Sequence, residues 1–120
     1  MIVRYRSNGT KYNNRQINYD GMVFDSVKEY CRWDELKLLE RAGKISGLQR
    51  QVKFELIPAQ RIGGKVVEHA CRYVADFVYT ENGKIVVEDV KGYKKGAAYT
   101  IFTIKRKLML QVHGIRIKEI

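Results

Sequence analysis

The stretch RYVADFVYTENGKIVVEDVK, residues 72–91, decides the fold. Asn82-Gly83 at its centre is a hairpin signal, because a two-residue type I′ turn needs positive φ at both positions and these residues tolerate it best. Aromatic and β-branched residues flank it on both sides, which predicts two antiparallel strands, Arg72–Tyr79 and Lys84–Val90. With a two-residue loop, Tyr79 faces Val86, Val78 faces Val87 and Asp76 faces Asp89. Side chains alternate along a strand, so Asp89 and Lys91 share a face that Asp76 joins, while Glu88 points the other way.

Two facing carboxylates repel. At about 5 Å and an effective dielectric near 20, the cost is about 3 kcal/mol. A hard divalent cation with oxygen ligands offsets that cost, and Mg²⁺ characteristically takes one or two carboxylates together with substrate phosphate. Lys91 reaches the same place, where it can neutralise charge or orient a water. A bulge or a longer turn would change the pairing and leave Asp76 simply ending a strand at solvent.

Working outward, Gln51–Ile57 alternates and ends at Pro58, which predicts a strand before this hairpin. Residues 58–65, with Gly63-Gly64, read as a loop. Ser26-Val-Lys-Glu29 fits a capping box, and Gly43 stops the helix it opens near Ala42. The apolar residues Val27, Cys31, Leu38 and Ala42 and the displaced Trp33, Leu36 and Leu39 predict a helix touching protein on more than one side. Glu29 has two readings here: the cap itself, or a carboxylate turned towards the aspartates from a face shared with Trp33 and Leu36.

A second helix is predicted over about Ala97–Val112, with Ile101, Ile104, Leu108 and Val112 on one stripe, and Gly114 ends it. Lys105 falls inside that stripe, either snorkelling or contacting a phosphate. Ile115–Ile120 is the last strand. The order α-β-β-β-α-β closes with a crossover, so the strands before and after the second helix are expected to be parallel. The expected fold class is α/β, a mixed central sheet flanked by helices, with residues 1–20 a basic N-terminal arm and 21–120 a single domain.

The chain of 120 residues carries a net charge of +10. Residues 1–24 hold +3 of it, residues 25–90 balance to zero, and residues 91–120 hold +7. Excess charge at both ends suits a polyanion, nucleic acid before an anionic membrane. No apolar run reaches membrane-spanning length, and Met1–Arg6 lacks the apolar core of a secretory signal. Cys31 and Cys71 have no metal spacing and read as two buried thiols in a reducing cytoplasm, and His69 and His113 lie far apart.

Asp76, Asp89-Val-Lys91 and Glu29 on a preceding helix resemble the PD-(D/E)XK nuclease superfamily. More narrowly, the chain is similar to a phage- and prophage-encoded family of uncharacterised proteins within it. The similarity runs through Lys11-Tyr12-Asn13, Asp20–Glu29, Gln51–Pro58, Ala75–Tyr79, Val87–Gly92 and Lys105–Leu108. Ala75 stands where the motif's proline would be, and Asp89 fills its (D/E) position, beside a second acid, Glu88.

The resemblance implies a restriction-endonuclease-like αβββαβ core and a metal-dependent deoxyribonuclease. Carried over, Asp76 and Asp89 ligate Mg²⁺ (or Mn²⁺) with the Val90 carbonyl, Glu29 completes or extends the metal site, and Lys91 positions the attacking water. Gln51 lies near the site. The cations expected to contact nucleic acid are Arg4, Arg6, Lys11, Arg15, Lys94, Lys95, Lys105 and Arg106. The expected substrate is branched DNA, cut as a Holliday-junction resolvase would cut it, by a homodimer in the cytoplasm of a bacterial host. A flap, nicking or sequence-specific nuclease, and a catalytically inactive nucleic-acid-binding accessory protein, are the alternatives.

Overall fold

The structure, a computed structural model, describes residues 4–7 and 15–120, with side chains from Gln16 onward. The chain divides into two compact units, residues 1–44 and 45–120.

In the first unit, Arg4–Ser7 (β1), Arg15–Tyr19 (β2) and Met22–Phe24 (β3) form an antiparallel sheet in the order β1-β2-β3. Residues 4–7 and 15–19, expected in the basic arm, are therefore strands. The β2–β3 turn uses positive φ at Asp20 (51°) and Gly21 (77°), as a type I′ hairpin requires. Ile17, Tyr19 and Phe24 form a small core, and Met22, Tyr30 and Trp33 pack against it. The Tyr30 ring meets Tyr19 edge-on at 5.1 Å and Phe24 at 5.6 Å, the geometry favoured by aromatic quadrupoles.

Val27–Arg41 (α1) starts where Ser26 Oγ accepts the Glu29 backbone N–H at 3.1 Å, the serine half of the expected capping box. Its buried residues are Glu29 and Leu36, with Trp33 half-buried between them. The expectation of contacts on several sides fails for the other stripe. Val27, Cys31, Leu38 and Ala42 are exposed, because they lie across the helix from the Glu29–Trp33–Leu36 face. Cys31 is thus an exposed thiol rather than a buried one, and Cys71 is only half-buried.

The second unit is built on Ser46–Ile57 (β4), Cys71–Glu81 (β7), Lys84–Asp89 (β8) and Lys118–Glu119 (β9), with Ala97–His113 (α2) between the last two. Gln60–Ile62 (β5) and Lys65–Glu68 (β6) form a separate exposed ribbon, so the loop expected over residues 58–65 holds β5, the turn and the first residue of β6. Gly63-Gly64 at its tip supplies the positive φ of the turn, so the loop signal marks only the tip. The main sheet has the order β4-β7-β8-β9 and is mixed: β4, β7 and β8 are antiparallel, and β8 and β9 are parallel, as the crossover through α2 requires. The described residues thus form a mixed α/β protein with a mixed sheet and two helices, and α1, β4, β7, β8, α2 and β9 follow in the expected order.

The core of this unit gathers Leu56, Tyr73, Ala75, Val87, Phe102, Met109 and Ile117. Helix α2 therefore presents Phe102 and Met109 to the sheet, not the predicted stripe. Ile101, Ile104 and Val112 are about half exposed, and Leu108 is partly buried at the margin. Both stripes are apolar and helically spaced. The aromatic ring and the long methionine bury more area against the sheet than the aliphatic set would.

Candidate functional site

The hairpin forms as predicted. Asn82 (φ 52°) and Gly83 (φ 77°) make the turn, Glu81 pairs with Lys84, and Val78 faces Val87. The β7–β8 ladder runs only as far as Phe77 and Glu88. Asp76 and Asp89 sit one step beyond its last registered pair.

The cause lies in the neighbouring strand. Tyr73 and Ala75 share a hydrophobic cluster with Val87, and Val78 packs against it. In an uninterrupted strand, residues 75 and 78 point to opposite faces. The pleat of β7 therefore changes phase at Asp76–Phe77. Between the registered pairs Arg50–Phe77 and Val52–Ala75, Gln51 takes a left-handed φ of 56°, so the irregularity spans both strands. Such breaks in a ladder re-aim side chains. Here the break turns Tyr73, Asp76 and Asp89 towards one place.

The Asp76 carboxylate accepts the Val90 backbone N–H on Oδ2 at 2.8 Å and the Gln51 side-chain amide on Oδ1 at 3.4 Å. Asp89, buried at 7% exposure, accepts the Tyr73 hydroxyl on Oδ2 at 2.8 Å and pairs with Lys91 Nζ through Oδ1 at 3.3 Å. The Lys91 ammonium stands over the Phe102 ring, 3.5 Å from its centroid, a cation–π contact that keeps the charge in place. Burial, followed by the Asp89 charge and hydrogen bond and the Asp76 charge, pushes the Tyr73 phenol far above its ordinary pKa. Tyr73 is therefore a permanent donor to Asp89 and senses both carboxylates.

Glu88 belongs to the other face. It is fully buried and accepts the Tyr79 hydroxyl, whereas Asp89 joins Tyr73 and Lys91. Strand parity thus separates the two acids as expected.

The remaining expected site residues divide as follows. Gln51 touches Asp76. Glu29 is buried on α1, in the first unit. Lys94 lies 3.9 Å from Glu119, Arg106 donates to Glu119 at 3.0 Å, Lys95 is exposed and Lys105 half-buried. Lys11 lies outside the described residues, as do the side chains of Arg4, Arg6 and Arg15. Sequence reading missed Tyr73 and Phe102. Tyr73 could have been found as an aromatic three residues before Asp76, but only once the pleat break was known.

Among the described residues, no group of three or more His, Cys, Asp or Glu side chains is gathered so as to hold a metal ion. The oxygen donors gathered here are the carboxylates of Asp76 and Asp89. That hard set suits Mg²⁺ or Mn²⁺, which complete their shells with water and substrate oxygens. No helix among the described residues is long and apolar enough to cross a membrane.

Fold and site together define an α/β protein whose mixed sheet brings a mid-strand carboxylate on β7, the carboxylate that ends β8 and a lysine to one place. Residues 9–118 match the family model of the proteins of unknown function DUF1064, and the chain belongs to that family. No curated protein and no solved structure matches it.

Proposed function

We propose that the chain is a metal-dependent endonuclease of the PD-(D/E)XK kind, hydrolysing phosphodiester bonds in DNA on a restriction-endonuclease-like core. The observation that carries this reading is the junction of Asp76 with Asp89-Val-Lys91: one carboxylate caps the Val90 amide while the next residues hold the second carboxylate and the ammonium. Asp76, Asp89 and the Val90 carbonyl would hold Mg²⁺ or Mn²⁺. Bound there, the ion lowers the pKa of a water and polarises the phosphoryl group.

The chain's own residues do the rest. Gln51 and the Val90 amide fix the Asp76 carboxylate. Tyr73 fixes Asp89, and Phe102 seats the Lys91 ammonium. Lys91 positions the attacking water and offsets charge that builds on the phosphate oxygens. Glu29 enters through the resemblance, and its replacement by glutamine measures its share. The net charge of +10 supplies a salt-sensitive attraction to DNA. Branched DNA is the proposed substrate. Two cuts in one junction need two sites, which a symmetric homodimer supplies.

The test is incubation of the pure protein with four-way junctions, flaps and plain duplex in Mg²⁺. Cleavage that falls at least about 100-fold in Asp76→Ala supports the reading, that being the scale on which metal sites lose function. No cleavage of any substrate, or cleavage indifferent to Asp76, rejects it.

One observation favours a second reading, a catalytically inactive DNA-binding module. All four aspartate oxygens already carry a hydrogen bond or an ion pair within the protein. In that case the acids tie the middle of β7 to the end of β8. Calorimetric titration with Mg²⁺ separates the two, because only the nuclease shows heat that Asp76→Ala removes.

A further inference from the structure

At the edge of the main sheet, Glu119 on β9 is registered beside Asp89 on β8. Registered neighbours project to the same face, so the Glu119 carboxylate stands next to Asp89, under α2. It is held firmly. Tyr99 donates its hydroxyl to Oε1 at 2.9 Å, Arg106 donates to Oε2 at 3.0 Å, and Lys94 Nζ lies 3.9 Å from Oε1. Burial alone would raise this carboxyl, but the bonds from Tyr99 and Arg106 and the charges of Arg106 and Lys94 outweigh it and hold the pKa below the usual range.

Beside it opens a groove of about 550 Å³ lined by Arg106, Leu110, Arg116, Ile117 and Glu119. Ile117 is buried and gives the groove an apolar wall, while Arg116 is exposed within it. Arg106 and Lys94 meet the carboxylate, and Arg116 lines the same groove. Glu119 engages one edge of the Arg106 guanidinium, and an arginine has five N–H donors arranged in a fork that matches phosphate. A groove that needed only positive charge would not hold an ionised acid. This acid fixes the orientation of one arginine next to a second.

We propose that this groove is a phosphate subsite of the DNA-cleaving site, taking a backbone phosphodiester that flanks the bond to be cut, with Arg106 and Arg116 as its contacts and Glu119 as the positioning residue for Arg106. The place of this phosphate beside the scissile bond rests on the nuclease reading, and the phosphate itself on the groove.

The experiment uses the full chain and a fluorescein-labelled four-way junction, with affinity read by anisotropy in EDTA across a salt series and folding checked by melting. Arg116→Ala weakens binding about tenfold, the scale of one charge-assisted contact, and makes the salt slope shallower by about 1. Arg116→Lys keeps the charge but loses the fork, and weakens binding about threefold or more. Lys84→Ala, an exposed cation at the Asn82-Gly83 turn, serves as control and costs less than about twofold. Glu119→Ala weakens binding although it raises the net charge, and Glu119→Gln, whose amide oxygen still accepts the Arg106 N–H while its NH2 turns to the Tyr99 hydroxyl oxygen, restores part of it.

Equal losses for Arg116→Ala and Lys84→Ala, or an Arg116→Lys protein that binds like wild type, overturn the subsite. Tighter binding by Glu119→Ala overturns the positioning role. Cleavage that depends on Asp76 but not on Arg116 removes the groove and leaves the nuclease standing. Loss of affinity at Arg116 in a protein that cuts nothing removes the nuclease, and with it the phosphate's place beside a scissile bond.

Discussion

Replacing Tyr73 by phenylalanine removes one hydroxyl from the interior and leaves the ring contacts with Phe54 and Phe102 intact. The hydroxyl is the donor to Asp89 at 2.8 Å, and Tyr73 is only 3% exposed. A hydrogen bond to a charged group contributes about 1.5–3 kcal/mol, and the acceptor left behind is a buried carboxylate, so the upper part of that range applies: about 2–3 kcal/mol at pH 7. The effect also has a pH signature. The folded phenol is raised above its ordinary value of 10.0 by burial and by Asp89. A raised acid binds its proton in the folded state after the unfolded state has released it. Its contribution is therefore complete below about pH 10 and declines above it, by about 1.4 kcal/mol per pH unit. Urea denaturation of wild type and Tyr73→Phe between pH 7 and 11 measures both terms. The gap between the proteins should be constant to about pH 9.5 and then narrow by roughly 1 kcal/mol by pH 11. A gap under about 0.5 kcal/mol at pH 7 would refute the hydrogen bond as a stabilising contact. A gap that stays constant to pH 11 would refute the raised phenol.

Other substitutions test neighbouring parts of the fold. Phe102→Leu preserves most of the apolar volume but takes away the ring beneath Lys91; it should cost about 1–2 kcal/mol in urea melts, with an additional loss of any cleavage rate if Lys91 positions the water. Gly83→Ala forces a side chain into φ 77° and should cost more than about 1 kcal/mol, measured by thermal melting. Ser26→Ala removes the acceptor for the Glu29 amide and should cost about 1 kcal/mol in the same assay. Glu119 has a depressed carboxyl, so it stabilises the protein above the ordinary glutamate range and loses that effect as pH falls through its folded value; Glu119→Gln should flatten the acid limb of the stability profile.

The hairpin at the centre of the chain was legible because its signal is local. Asn82-Gly83 fixes the turn, the turn fixes Val78 against Val87, and the register follows without tertiary information. Extrapolating that register to Asp76 and Asp89 assumed an unbroken pleat. The break coincides with Gln51, whose left-handed backbone lies between the registered pairs Arg50–Phe77 and Val52–Ala75 and has no marker in a sequence where glutamine is an ordinary strand residue. The first three strands were hidden for a different reason. Tyr-, Asn- and Arg-rich segments carry little apolar alternation, and among the described side chains Ile17, Tyr19 and Phe24 supply the buried side of that sheet.

Helix α2 shows how the choice of a buried face bears on the site. Its sequence offers Ile101, Ile104, Leu108 and Val112 on one stripe and Phe102 and Met109 on another, and periodicity alone cannot rank two stripes with the same spacing. Area can, because one phenylalanine and one methionine packed on Tyr73, Ala75 and Val87 bury large surfaces at few positions. Choosing that stripe also rotates Phe102 beneath Lys91 and turns Tyr99 and Arg106 onto Glu119. The packing that anchors the helix is then the same packing that orients the charged groups on the sheet. A helix seated on its aliphatic stripe would move Phe102 by about 100° of rotation, the angle between consecutive residues, and take the ring away from the ammonium. Conservative changes on the buried stripe are therefore expected to disturb the Asp89–Lys91 pair. Matched changes at Ile101 or Ile104, which remain half exposed, should leave it intact.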